Sequence, residues 1–283
     1  MTQLRGAVVG GGTMGVGIAY VMAVAGLETT VVEPDPGRAD ALLAEIGSAL
    51  DNGIQRGKLD QASAAAARSA LTVVGGVDAL PTGLDVVVES VPERADVKHA
   101  VLAAVEARAP RLLASNTSSM SIDALAAPLE RPEAFLGLHF FNPVWSLALV
   151  EVVRGSATSE EALALALELV ATIGKQSAVV NDSPGFATSR LDLILAMESM
   201  RMVEEGVASA EDIDRAVRLA YRHPVGPLTL SDIVGLDVRL DISRQLEASL
   251  GQRFAAPQLL VDLVEQGRLG KKAGHGFFEW PDA

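Results

Sequence analysis

Gly10-Gly11-Gly12-Thr13-Met14-Gly15 follows the apolar run Ala7-Val8-Val9 and opens the apolar stretch Val16–Ala25, and no other feature limits the fold as strongly. A buried strand that turns at once into a helix has a distinct need for each of three glycines. Gly10 permits the tight turn, Gly12 lets the backbone approach a phosphate closely, and Gly15 allows the helix to pack against the strand. The free amides and positive dipole end of that helix then face the phosphate. Gly26 ends the helix, Thr29–Val32 forms a second strand, and Glu33 closes it, 18 residues after Gly15. A carboxylate at this distance accepts the adenosine ribose hydroxyls of a dinucleotide and repels a 2′-phosphate, so NAD is expected over NADP. Thr13 and Met14, at the start of the helix, are expected to contact the cofactor, and Arg38 weakens the discrimination against NADP. The alternative is a glycine-rich strand–helix turn with no ligand.

The same alternation continues to about Val180. Short aliphatic strands are expected at Ala7–Val9, Thr29–Val32, Asp85–Glu89, Arg111–Ser115, Phe135–Phe141 and Leu147–Val153. Helices are expected at Met14–Ala25, Gly37–Gln55, Asp60–Ala70, Ala95–Ala107 and Ser159–Ile173. Ala64–Ala67 is read as part of a helix, with a strand-like run after it. Such an order predicts βαβ units and a mostly parallel sheet. After Asp182-Ser183-Pro184-Gly185 the strands stop, and helical spacing covers Leu191–Glu205, Ala210–Ala220, Thr229–Leu250 and Pro257–Gln266. At 283 residues two domains are expected. The fold class is therefore α/β: a Rossmann-type doubly wound sheet over residues 1–182, followed by an all-helical domain over 183–283.

With 36 acidic and 23 basic side chains the net charge is −13, which argues against nucleic acid or a membrane surface as partner. An anionic substrate must then be captured by local positive charge. No cysteine is present, which excludes disulfides and thiolate metal sites. Met1–Gly6 is too short and polar for a signal peptide, and Val16–Leu27 is too short for a membrane span, so a cytoplasmic location is expected.

Four histidines are present. His99 falls in an expected surface helix, His223 precedes Pro224, and His275 lies in a Gly-rich turn. His139 ends an apolar strand and is followed by Phe140-Phe141-Asn142-Pro143, a turn signal, and then a strand carrying Glu151. The gap of twelve is even, so antiparallel pairing around Trp145 places both side chains on one face. A buried carboxylate beside an imidazole fixes its tautomer and stabilises its cation, leaving the other ring nitrogen as a base for an alcohol proton. A purely structural His–Glu pair accounts equally well for the spacing.

Ser115-Asn116-Thr117-Ser118-Ser119, Gly137-Leu138-His139-Phe140-Phe141-Asn142-Pro143, Leu149-Val150-Glu151-Val152-Val153 and Asp182-Ser183-Pro184-Gly185-Phe186 resemble the 3-hydroxyacyl-CoA dehydrogenase family, 3-hydroxybutyryl-CoA dehydrogenases included. The resemblance continues through His223-Pro224-Val225-Gly226-Pro227 and Gly270-Lys271-Lys272-Ala273-Gly274-His275-Gly276-Phe277, covering essentially the whole chain. It implies His139 as catalytic base with Glu151 as partner, and Ser118 and Asn142 where nicotinamide and substrate meet. It further implies Glu33, Glu93, Lys98 and Lys272 at the cofactor site, and Lys58 on coenzyme A. Without the resemblance, Lys58, Lys98 and Lys272 read as solvated surface charges. The implied substrate is a short-chain L-3-hydroxyacyl-CoA, with an acyl carrier protein thioester as the other carrier, and the implied assembly is a homodimer through the helical domain.

Two departures stand out. Ser189 occupies a place where many relatives carry Asn, which puts its substrate contact in doubt. Trp145 and Ala148 replace the Pro and Lys common in the hairpin turn, and the indole either reshapes the acyl pocket or simply packs. Two rival readings remain: a dehydrogenase of a free hydroxy or sugar acid on the same fold, and a non-catalytic NAD-binding protein.

Overall fold

The computed structural model describes residues 4–281. β1 (Arg5–Val9) enters α1 (Thr13–Val24), and β2 (Glu28–Val32) enters α2 (Pro36–Gln55) and α3 (Gln61–Ser69). β3 (Leu71–Val74), β4 (Val86–Glu89), α4 (Ala95–Glu106), β5 (Leu112–Ser115) and α5 (Ile122–Ala126) follow. β6 (Phe135–Phe140), β7 (Leu149–Arg154), α6 (Glu160–Thr172) and β8 (Gln176–Asn181) complete this unit. The strands form one sheet in the order β3-β2-β1-β4-β5-β6-β7-β8. All neighbouring pairs are parallel except β6 and β7, which run antiparallel. Helices cover the sheet, and the central strands are buried on both faces, which is why they read as unbroken aliphatic runs.

The chain divides into compact units at Ser183 and Pro184. The second unit contains α7 (Thr188–Glu204), α8 (Ala210–Ala220), α9 (Pro227–Val234), α10 (Leu236–Leu250) and α11 (Gln258–Glu265). Its core is built on Leu193, Met197, Met200, Leu228, Leu236 and Leu260. Buried Asp214 accepts from the amides of Leu228 and Thr229 at the start of α9, both at 2.8 Å. Buried Asp232 ties down the C-terminal segment by accepting from the Phe277 and Phe278 amides at 2.9 Å. No helix among the described residues is long and apolar enough to cross a membrane.

Two expectations are corrected. The single helix expected over Thr229–Leu250 is broken in two at Gly235, whose φ of 107° lies outside any helical conformation. β8 lies outside the expected strands: it is a sheet edge of sequence Gln-Ser-Ala-Val-Val-Asn, half exposed along its length and flanked by polar residues that blur its short apolar centre.

Candidate active site

β1 leads to β2 on one side of the sheet, while β4 leads to β5 on the other, so a crevice opens at their C-terminal ends. A cavity of about 940 Å³ lies there, lined by Gly10–Met14, Glu33, Arg38, Glu93, Asn116, Ser118 and His139 among others.

The glycine turn has the division of labour that its spacing requires. Gly10 has a φ of 110°, and a Cβ there would lie 2.6 Å from the Ser90 carbonyl oxygen. A Cβ on Gly15 would lie 1.8 Å from the Gly10 carbonyl oxygen, so α1 packs directly on the loop. Around Gly12 nothing lies within 4 Å of that position, and the residue is exposed in the cavity lining. Gly12 is also the N-cap of α1, and no side chain caps that end. An uncapped helix start beneath an open backbone fits a dinucleotide pyrophosphate.

Glu33 sits at the cavity edge, held by the Gly11 amide on Oε2 and the Asp35 amide on Oε1, both at 3.0 Å. Arg38 donates from Nε to the Gly11 carbonyl at 2.7 Å and makes a two-point ion pair with Glu45 at 2.5 and 3.1 Å.

Beneath the Ser118 loop lies a polar network. Glu93 accepts from the Ser118 amide at 3.1 Å, from the Ser119 amide and hydroxyl at 3.3 and 3.1 Å, and from the Thr117 hydroxyl. Burial alone would raise the Glu93 pKa. The Thr117 hydrogen bond, the Lys98 charge and the Ser118 amide outweigh it and hold the carboxyl below its ordinary value. Lys98 is not the solvated surface charge that composition suggests. It is fully buried, because its face of α4, with Leu102 and Val105, packs on the sheet and its apolar stem crosses the core. Its ammonium meets Glu89 at 2.8 and 3.0 Å and Glu93 at 3.3 Å. The Ser115 hydroxyl donates to Glu89 at 2.6 Å. Lys98 supports the cavity from below, and its neighbours Val97 and Val101 line it.

His139 and Glu151 are register partners across the antiparallel pair. His139 Nδ1 lies 2.7 Å from Glu151 Oε2, the histidine 7% exposed and the glutamate fully buried. The imidazole rests against the Phe141 ring, 4.3 Å between centroids. The Phe140 amide donates to Asn116 Oδ1 at 3.0 Å, tying the end of β6 to the loop after β5. Asn116 lines the cavity too and is absent from the residues expected there. The available signal was a short polar residue at the C-terminal end of a buried parallel strand.

Two further candidates of this unit do not line the cavity. Asn142 is exposed at the start of the turn and does not line this cavity. Lys58 is exposed beyond α2 and lines a separate cleft. Ser189 lies in the first turn of α7, and Lys272 pairs with Asp237 at 2.6 Å, both within the helical unit. His99 is half-buried in α4 rather than on the surface, since the face beside Lys98 turns inward.

Comparison with known proteins assigns the fold and its ancestry. The family described as "3-hydroxyacyl-CoA dehydrogenase, NAD binding domain" matches residues 6–183, and "3-hydroxyacyl-CoA dehydrogenase, C-terminal domain" matches residues 185–280. A 3-hydroxybutyryl-CoA dehydrogenase of Mycobacterium tuberculosis is 40% identical, with 98% of each chain covered. One from Bradyrhizobium diazoefficiens is 37% identical, covering 98% of this chain and 95% of that one. The crystal structure of (S)-3-hydroxybutyryl-CoA dehydrogenase from Ralstonia eutropha superposes with a TM-score of 0.94 at 35% identity, covering 99% of each chain. The eight-stranded Rossmann-type sheet, the glycine turn and both matched domains make this chain a member of the 3-hydroxyacyl-CoA dehydrogenase family.

Proposed function

We propose that the chain is an NAD-dependent dehydrogenase that interconverts a short-chain L-3-hydroxyacyl-CoA and its 3-ketoacyl-CoA, with His139 as the general base. The observation that carries this reading is the buried His139–Glu151 pair at 2.7 Å, whose histidine lines the cavity that also holds the glycine turn and Ser118. Relatives 37–40% identical bear the name 3-hydroxybutyryl-CoA dehydrogenase, which supports a short acyl chain.

Glu151 accepts the Nδ1 proton and so fixes the imidazole tautomer, which presents Nε2 as the proton acceptor. In oxidation His139 takes the C3 hydroxyl proton while the C3–O bond becomes a carbonyl, and the buried carboxylate offsets the charge that develops on the ring. Bound NAD supplies the hydride acceptor. Ser118 and Asn142 orient the substrate oxygens, and Glu93 pins the backbone that carries Ser118. Glu33 receives the adenosine ribose, and Lys58 offers a positive point to the anionic carrier.

We propose also that the protein works in the cytoplasm as a homodimer through its helical unit, where Leu191, Leu219 and Tyr221 are 67, 74 and 71% exposed. The test follows nicotinamide absorbance with acetoacetyl-CoA, longer 3-ketoacyl-CoAs, a dicarboxylic analogue and free hydroxy acids. Turnover of acetoacetyl-CoA is expected. Activity confined to free acids overturns the substrate assignment, and NADH binding without turnover of any thioester overturns the enzyme assignment.

A further inference from the structure

Trp145 stands in the turn between β6 and β7, 48% exposed yet firmly held. The Lys175 ammonium donates to the carbonyls of Val144 and Leu147 at 2.5 and 2.6 Å, and the amides of Ser146 and Leu147 both return to the Pro143 carbonyl. Val144 is buried against α1 at Gly17, where a Cβ would come within 2.7 Å of it. The missing side chain lets the turn dock on α1 and brings the indole edge-on to Tyr20, 6.0 Å between centroids at 69°.

So fixed, the indole forms one wall of a cleft of about 550 Å³. The opposite wall is α2, where small residues at Ala44, Ser48 and Ala49 leave room for a flat ring. Arg56 and Lys58 line the same cleft, and among the described residues neither makes an ion pair; the carboxylate that also lines it, Glu45, is engaged by Arg38. In a chain of net charge −13, two uncompensated cations beside a held aromatic face suit an anion that itself carries an aromatic ring. Thr13 lines both this cleft and the cofactor cavity, so the two adjoin.

We propose that Trp145 sets carrier specificity: its indole stacks on the base of a free nucleotide carrier while Arg56 and Lys58 hold the phosphates. A thioester on a truncated or protein-borne arm offers no base to that ring and is the poorer substrate. The thioester part rests on the dehydrogenase reading above, whereas nucleotide binding in the cleft does not.

Two measurements separate these. Of the chain's two tryptophans, Trp280→Phe leaves Trp145 as the only one, its emission read by excitation at the red edge where the two tyrosines do not absorb. With the cofactor site saturated by NAD, titration of adenosine 3′,5′-bisphosphate quenches this emission to saturation. Calorimetry under the same conditions gives a Kd about ten-fold weaker for Trp145→Ala, and Trp145→Phe retains most of the affinity. In steady state, the kcat/KM ratio of acetoacetyl-CoA to acetoacetyl-N-acetylcysteamine falls about ten-fold in Trp145→Ala and is restored in Trp145→Phe. Absence of quenching, or an unchanged ratio in Trp145→Ala, overturns the proposal. If the parent protein turns over neither thioester, the dehydrogenase reading fails and the quenching decides the cleft alone.

Discussion

The ammonium of Lys98 reaches both carboxylate oxygens of Glu89, at 2.8 and 3.0 Å, and neither side chain has exposed surface. This ion pair joins α4 to the C-terminal end of β4, directly under the loop that carries Ser118. Lys98→Met would leave Glu89 buried and uncompensated, a change that costs about 3–5 kcal/mol. Urea unfolding measures it, and the Glu89→Gln/Lys98→Met double variant is expected to regain a large part. A single variant as stable as the parent would show that the pair does not anchor β4 to α4.

Glu93 gives a pH signature. Its folded pKa lies below the ordinary carboxylate value, so its contribution to stability is present above that ordinary value. The contribution is lost as the pH falls through the lower folded pKa. Glu93→Gln should therefore melt below the parent at pH 7, with the difference in Tm narrowing as the pH drops into the carboxylate range. A constant difference from pH 7 to pH 3 would contradict the assignment.

His139→Ala should keep its affinity for NAD and lose on the order of a hundred- to ten-thousandfold in kcat, the range for a general base. Glu151→Gln should fall in the same direction, because a buried amide can hold the ring without offsetting its charge. Near-normal turnover of His139→Ala would remove the mechanism, whatever the state of the glutamate.

Glu33→Ala should weaken NAD and improve tolerance of NADP, since the repulsion of a 2′-phosphate is gone while Arg38 remains at the cavity. The gain should be modest, because Arg38 is already engaged by Glu45 at two points. Steady-state kinetics with both cofactors decide the matter, and an unchanged preference would place discrimination elsewhere.

Much of this was legible in the chain. The aliphatic strands stood out because central parallel strands are buried on both faces, and the His139–Glu151 register followed from an even spacing across one turn. Composition alone places Lys98 on the surface because a long stem hides where a charge ends, and only the acid closing the buried run Val86-Val87-Val88-Glu89 hints that a cation must meet it. Helical periodicity runs on across Gly235, so nothing short of its backbone conformation reveals the break. Asn116 escaped notice because its value lies in an amide on a different strand, a pairing that only topology creates.

The antiparallel pair at β6 and β7 also dictates what may happen to the turn that joins them. Side-chain direction alternates along a strand, so inserting or deleting one residue between Asn142 and Ala148 would slide the register by a step and send imidazole and carboxylate to opposite faces. The sheet would survive such a change and the acid–base pair would not. In that segment the number of residues decides whether the acid–base pair exists at all, and their identities, Trp145 among them, act only once that number is kept.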